Sequence, residues 1–251
     1  MNTEGNTILI TGGATGIGFS LAQDFVKNGN RVIICGRREA RLNEAKRKLS
    51  QIETIVCDVT KESDRQKLFT FIKSKYPELN ILINNAGIQR MVNLKNGPRE
   101  LKAGANEINT DLLAPIYLSA HFIPLLVTQK NPAIMNVSSG LGFIPIAAMP
   151  VYCAAKAGLH LFTVSLRYQL KDTPVKVFEI IPPAVNTELG RDSTTEEAQE
   201  YQGIPPEEVS AAVLKSMAKN EYEIIVGEAK RLVAASRGNG FEEAFQNINR
   251  W

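Results

Sequence analysis

Residues 7–18 read TILITGGATGIG, and this stretch decides the fold of the chain. The apolar run Thr7–Ile10 predicts a buried strand, and the glycines after it predict a tight turn. Ile17, Leu21 and Phe25 follow at helical spacing, so the turn leads directly into a helix. This order is typical of dinucleotide sites, where backbone N–H groups at a helix start meet a pyrophosphate. A glycine turn that binds nothing is the alternative.

The rest of the chain alternates short apolar runs with longer amphipathic ones. This alternation predicts an α/β fold, with a parallel sheet covered by helices on both faces. The 251 residues contain neither a repeat nor a linker, so we expect one domain over residues 1–251. The predicted strands are Thr7–Ile10, Arg31–Cys35, Thr54–Cys57, Ile81–Ile83, Ala133–Val137, Lys176–Ile181 and Glu223–Val226. The predicted helices are Gly18–Lys27, Glu39–Ser50, Ser63–Lys75, a long segment near Arg99–Val127, Pro150–Leu170 and Pro206–Ala218.

Composition and charge limit the kinds of partner that the chain is expected to bind. With 29 basic and 26 acidic residues and no dense basic stretch, we expect no nucleic-acid partner. The most apolar stretch, Leu112–Val127, is short and interrupted by prolines, so we expect no membrane span. Cys35, Cys57 and Cys153 are widely spaced, which predicts reduced thiols in a cytoplasmic protein. The sequence offers no set of metal ligands, and we expect His121 and His160 to be packing residues.

The end of the second predicted strand indicates which dinucleotide binds. An NAD site usually carries Asp or Glu there to hold the ribose 2′-hydroxyl. Gly36 stands at this position, and Arg37 and Arg38 follow, whose guanidinium groups suit a 2′-phosphate. The sequence therefore favours NADP(H). NAD(H) stays possible because Glu39 is adjacent and Thr15 adds no second positive charge. The alternative interpretation of the arginines is a solvated helix start.

Tyr152 and Lys156 form a second feature. Residues four apart lie on one face of a helix, where a lysine ammonium can stabilise a tyrosinate. A nearby cation lowers the pKa of a tyrosine toward the range in which acid–base catalysis is efficient. Solvated helices also carry such pairs by chance. Farther along, the irregular stretch 186–206 follows the sixth strand, and we predict either a substrate lid or an ordinary surface loop there.

Taken together, the motifs of this chain resemble those of the short-chain dehydrogenases/reductases over nearly its whole length. No single motif is decisive, but they occur in the order and at the spacing of the family. The matching segments are Thr11–Gly18, Cys57–Val59, Asn84–Gly87, Asn109, Asn136–Gly140, Tyr152–Lys156 and Pro182–Thr187.

The resemblance implies a Rossmann fold with a seven-stranded parallel sheet in the order 3-2-1-4-5-6-7. It also implies a homodimer or homotetramer that transfers hydride between nicotinamide and a small carbonyl or alcohol substrate. A nucleotide-binding sensor without turnover is the alternative. One departure is Pro182-Pro183, where the family commonly has Pro-Gly, which puts the geometry of the following loop in doubt.

The resemblance also implies the roles of individual residues. Tyr152 is expected to be the general acid and base, and Lys156 to bind the nicotinamide ribose. Ser139, which lies 13 residues before Tyr152, is expected to orient the substrate oxygen, and Asn109 to anchor a water beside Lys156. The expected cofactor-binding residues are Gly12, Thr15, Gly16, Ile17, Gly18, Arg37, Arg38, Asp58, Val59, Asn85, Ala86, Gly87, Tyr152, Lys156, Val185 and Thr187.

Overall fold

The computed structural model describes residues 1–101, 107–189 and 203–250. The strands are β1 (Thr7–Thr11), β2 (Arg31–Gly36), β3 (Glu53–Val56), β4 (Ile81–Asn84), β5 (Ala133–Val137), β6 (Lys176–Ile181) and β7 (Glu223–Ile225). They form one parallel sheet in the order β3-β2-β1-β4-β5-β6-β7. The predicted Rossmann architecture and strand order are confirmed, with strand ends shifted by one residue at most.

The helices lie between the strands and after the last one. They are α1 (Gly16–Lys27), α2 (Glu39–Lys48), α3 (Glu62–Lys75), α4 (Ala114–Leu126), α5 (Pro150–Gln169), α6 (Pro206–Lys219), α7 (Ala229–Arg237) and α8 (Phe241–Ile248). The sequence did not predict α7 and α8, which are short helices at the end of the chain. Short 3₁₀ turns occur at Leu94–Asn96 and Gly140–Gly142.

The long helical segment predicted near Arg99–Val127 is interrupted. A π-helical turn, Ile108–Leu113, precedes α4, and the N–H of Ala114 donates to the carbonyl of Asn109 five residues earlier. A π turn adds one residue to a helical turn and changes the direction in which neighbouring side chains project. This turn lies next to α5 and brings its buried side chains toward that helix.

Both faces of the sheet are buried, as in other parallel sheets. Alternate residues of β1 face opposite sides, so Ile8 packs with Phe25 of α1, whereas Leu9 packs with Phe122 of α4. This burial on two sides leaves the strand ends as the places where polar groups can converge. Within the described ranges, no helix is both long and apolar enough to cross a bilayer.

The predicted lid at residues 186–206 is described only at its two ends, since residues 190–202 lie outside the described ranges. Val185 forms a parallel bridge with Ile204, and the Asn186 side chain accepts a hydrogen bond from the Gly203 N–H at 2.8 Å. The two ends are therefore fixed to each other beside the carboxyl end of β6.

Candidate active site

In the glycine turn between β1 and α1, two glycines lie too close to neighbouring residues to carry a side chain. Gly12 has a φ of +63°, and a Cβ there would lie 2.9 Å from the Cα of Ala86. Gly16 has a φ of +54°, and a Cβ there would lie 2.8 Å from Cγ2 of Thr187. Only glycine relieves both the backbone conformation and the contact.

Hydrogen bonds from the end of β4 hold this turn in place. The side-chain amide of Asn85 donates to the carbonyls of Thr11 and Gly12 at 2.9 and 3.1 Å. The hydroxyl of Thr11 accepts from the N–H groups of Asn85 and Ala86, each at 3.0 Å. Asn85 therefore positions the glycine turn through its side chain.

The start of α1 leaves backbone N–H groups for an anion. Thr15 is the N-cap residue, yet its side chain makes no capping hydrogen bond, and the first turn carries no acidic residue. By contrast, α2, α3 and α6 each have an acidic residue in their first turn. With the glycine contacts, this open helix end fits the pyrophosphate of a dinucleotide.

The predicted cofactor residues converge at one edge of the sheet. Asp58 and Val59 follow β3, where Val59 is buried and Asp58 accepts hydrogen bonds from the N–H and hydroxyl of Thr60 at 3.1 and 2.7 Å. The residues at the carboxyl ends of β1, β3, β4 and β6 or at the start of α1 are Gly12, Thr15, Gly16, Ile17, Gly18, Asp58, Val59, Asn85, Ala86, Gly87, Val185 and Thr187.

Arg37 and Arg38 lie directly after β2, at the same edge, and both are exposed. The carboxylate of Glu188 lies 3.4 Å from Arg38 and 2.8 Å from Arg41. A cleft of roughly 320 Å³ opens beside this contact and is lined by Gly16 and Thr187 among others. The edge therefore combines an open helix start with a cluster of guanidinium groups.

The two serines after β5 have different partners. The hydroxyl of Ser138 lies 2.6 Å from a buried carboxylate oxygen of Glu179 and donates to it. The hydroxyl of Ser139 accepts from the Leu141 N–H at 3.1 Å, which leaves its proton to donate elsewhere. Of the two serines, Ser139 therefore has a hydroxyl proton available for a further acceptor, whereas the proton of Ser138 is taken by Glu179.

Tyr152 and Lys156 lie one turn apart on α5, and both are buried. The Lys156 ammonium is 5.6 Å from the centre of the Tyr152 ring and donates to the carbonyl of Val137 at 2.9 Å. Because Val137 is the last residue of β5, this bond fixes the ammonium group at the end of the strand that the two serines follow.

A carboxylate that the sequence interpretation missed faces Lys156. Oδ2 of Asp111, in the π turn, lies 3.3 Å from the lysine nitrogen, and Oδ1 accepts from the Ile88 N–H at 2.9 Å. Burial raises the pKa of Asp111, and Lys156 opposes that rise. The side chain is fully buried, so the ion pair is shielded from water.

A second buried acid, Glu107, lies one helical turn before Asp111. One oxygen accepts from the Arg90 N–H at 2.8 Å, and the other has no hydrogen-bond partner among the described residues. Burial, together with the charge of Asp111, raises the pKa of Glu107 to about 7, against the bond from Arg90. The signal in the sequence was a pair of acids four residues apart at the entrance to the most apolar helix.

The structure does not bring Asn109 into this group. Its side chain is exposed, and this side chain makes no hydrogen bond with any described residue. Tyr152 and Lys156 are neighbours on α5, and Lys156 is bonded to Val137, which lies two residues before Ser139. Asp111 is the side chain of the π turn that contacts Lys156.

His160, which we expected to be an isolated packing residue, pairs with a buried acid. Its Nδ1 lies 2.9 Å from the Glu179 oxygen that Ser138 does not use, and its ring packs against Phe143 with centroids 4.4 Å apart. Glu179 thus links α5 to Ser138.

The double proline after β6 is linked to the turn that follows the serines, because the Pro182 carbonyl accepts from the Gly140 N–H at 3.1 Å.

Comparison with known proteins gives consistent results. A family model described as short chain dehydrogenase matches residues 6–198. The chain is 44% identical over 249 residues to the uncharacterized oxidoreductase DltE of Bacillus subtilis (strain 168), which covers 99% of this chain and 98% of that protein.

Solved structures of the same family have the same fold. A short chain dehydrogenase/reductase from Burkholderia phymatum in complex with NAD has a TM-score of 0.84 at 17% identity, covering 100% of this chain and 97% of that one. The closed form of serine dehydrogenase complexed with NADP+ has a TM-score of 0.76 at 29% identity, covering 82% and 87%.

Proposed function

The chain belongs to the short-chain dehydrogenase/reductase family, and we propose that it is an NADP(H)-dependent enzyme acting on a small carbonyl or alcohol substrate. One observation carries this proposal. Lys156, one turn after Tyr152 on α5, is bonded to the last residue of β5, and Ser139 follows that strand at the sheet edge that also holds the glycine turn. Acid–base groups and a dinucleotide cradle at one edge are what hydride transfer to or from a carbon–oxygen bond requires.

We assign the cofactor to the residues at this edge. The glycine turn and the start of α1 would hold the pyrophosphate, Asp58 and Val59 would contact the adenine, and Thr187 would contact the carboxamide. When bound, the nicotinamide supplies or accepts the hydride. The remaining chemistry belongs to the side chains of the protein.

In carbonyl reduction, Tyr152 gives its proton to the substrate oxygen, and Ser139 donates a hydrogen bond to the same oxygen. In alcohol oxidation Tyr152 takes the proton instead. Both groups stabilise the negative charge that develops on oxygen, and a positioned acid contributes roughly 10²–10⁴-fold. The free proton of Ser139 and the burial of Tyr152 support these roles.

We further propose that Asp111 takes the place beside Lys156 that the sequence had given to Asn109. The Lys156 ammonium favours the charged form of Tyr152, and an ionised Asp111 cancels part of that effect. Asp111 is therefore a positioning residue: it acts on Tyr152 through Lys156 and not on the substrate.

Replacing Tyr152 by phenylalanine removes the proton donor and keeps the ring. We expect Tyr152→Phe to lower kcat by at least about 10²-fold while NADPH binding stays within a few-fold of the original. Tyr168→Phe, on the exposed side of the same helix, is the matched control. Steady-state kinetics on an aldehyde and ketone panel, with cofactor binding followed by fluorescence, provide the readout.

Two outcomes would contradict the proposal. Wild-type rates in Tyr152→Phe would remove the acid–base role. Tight cofactor binding with no turnover across the whole panel would favour the alternative of a nucleotide-binding sensor.

Asp111→Asn keeps the shape and the acceptor for the Ile88 N–H but removes the charge. Without an anion beside Lys156, the tyrosinate is stabilised more strongly. We expect the acid limb of the pH profile of kcat for alcohol oxidation to move about one unit toward lower pH. Profiles of the two proteins that coincide would show that Asp111 does not act through Lys156.

The preference for NADP(H) rests on Arg37 and on the absence of an acidic residue at Gly36. We expect Arg37→Ala to raise the Kd of NADPH about tenfold or more and that of NADH less than threefold, because only NADPH carries the 2′-phosphate. Arg47→Ala, near the end of the helix α2 that follows Arg37, is the control. Equal weakening of both cofactors would contradict the preference.

We also propose that the enzyme is a homodimer or homotetramer through α4 and α5. These helices expose Tyr117, Leu161 and Tyr168 by 48, 65 and 71% respectively. Leu161 and Tyr168 are seven residues apart and so lie on one face of α5, and a contiguous exposed apolar patch is typical of an interaction surface. Light scattering at micromolar concentration is expected to give twice or four times the mass of one chain, and a monomer would refute this expectation.

A further inference from the structure

The carboxylate of Glu188, in the segment after β6, pairs with two arginines at the start of α2. One oxygen of Glu188 lies 2.8 Å from Arg41 and the other 3.4 Å from Arg38. A single carboxylate thus bridges two guanidinium groups that lie three residues apart in the chain. Nothing in the sequence pattern connects Glu188 with this cluster.

Contacts of the residues next to Glu188 hold it there. Its neighbour Thr187 packs so closely against Gly16 that no side chain fits between them, and the Thr187 hydroxyl accepts from the Leu189 N–H at 3.2 Å. One residue earlier, Asn186 pairs through its backbone N–H with the carbonyl of Ile204 at 2.9 Å. The turn that carries Glu188 is therefore anchored to both the glycine turn and the far end of its own loop.

We propose that Glu188 is a specificity residue that competes with the ribose 2′-phosphate for Arg38 and Arg41. This inference rests on the proposed function. A phosphate monoester and a carboxylate bind a guanidinium group through the same paired N–H donors. When the ligand carries the phosphate, Glu188 must share or give up these donors, and the two anions repel each other. When the ligand lacks it, Glu188 keeps them.

The charge of Glu188 therefore acts against NADP(H) and leaves NAD(H) unaffected. Side chains in these pairs are about one-third to one-half exposed, so their interaction is screened by water. We expect a modest effect, about three- to tenfold in the relative affinity of the two cofactors. Glu188 would thus limit the cofactor preference that the arginines create.

Glu188→Gln tests this inference with ligands that differ by one phosphate group. Isothermal titration is performed with adenosine 2′,5′-bisphosphate and with adenosine 5′-phosphate, so that no hydride transfer is involved. We expect the variant to bind the bisphosphate about three- to tenfold more tightly and the monophosphate within twofold of the original protein. In an Arg38→Ala/Arg41→Ala background the gain is expected to vanish.

Glu78→Gln is the matched control, since Glu78 makes a comparable surface pair with Arg31 at 2.7 Å but lies at the opposite edge of the sheet. It is expected to change neither affinity. If Glu188→Gln tightened the binding of both ligands equally, Glu188 would act only as a general negative charge. If it weakened the binding of the bisphosphate, the role of Glu188 would be to orient the arginines. Either result overturns the inference. If the unaltered protein binds neither ligand, the proposed function itself fails.

Discussion

The buried ammonium of Lys156 is the interaction on which the active edge depends. Transfer of a lone charge from water into a protein interior costs several kcal/mol, so such a group is tolerated only with partners in place. Here the partners are the carbonyl of Val137 and the carboxylate of Asp111. One comes from the end of β5 and the other from the π turn, while α5 carries the lysine. The strand β5, the π turn and the helix α5 are held together because each supplies one of these three interacting groups.

The opposite half of the edge is organised by neutral hydrogen bonds. Asn85 and Thr11 join the end of β4 to the glycine turn, where a Cβ on Gly12 would meet the backbone of Ala86. Such direct backbone packing leaves little room for adjustment, so the glycine turn is held in one position. Charged groups hold the half of the edge around Lys156, and close packing holds the half around the glycine turn.

Most of the fold followed from the sequence, because buried parallel strands read as apolar runs that helices separate. The choice of Ser139 over Ser138 stays a prediction, and the structure adds a physical reason for it, which is the bond from Ser138 to Glu179. The contact of Asp111 with Lys156 could not be predicted, because the π turn changes which residue faces Lys156. The acids Glu107 and Asp111 mark this segment in the sequence but do not indicate that turn. Glu188 reaches the arginines across roughly 150 residues of chain, a distance that spacing cannot bridge.

The bridge between Val185 and Ile204 has a consequence for how this scaffold can change. Because the ends of the segment are clasped to each other, its length does not set the position of β6 or of α6. The entropy cost of closing a loop grows only with the logarithm of its length. Insertions or exchanges between the two joined ends are therefore expected to leave the positions of β6 and α6 unaltered.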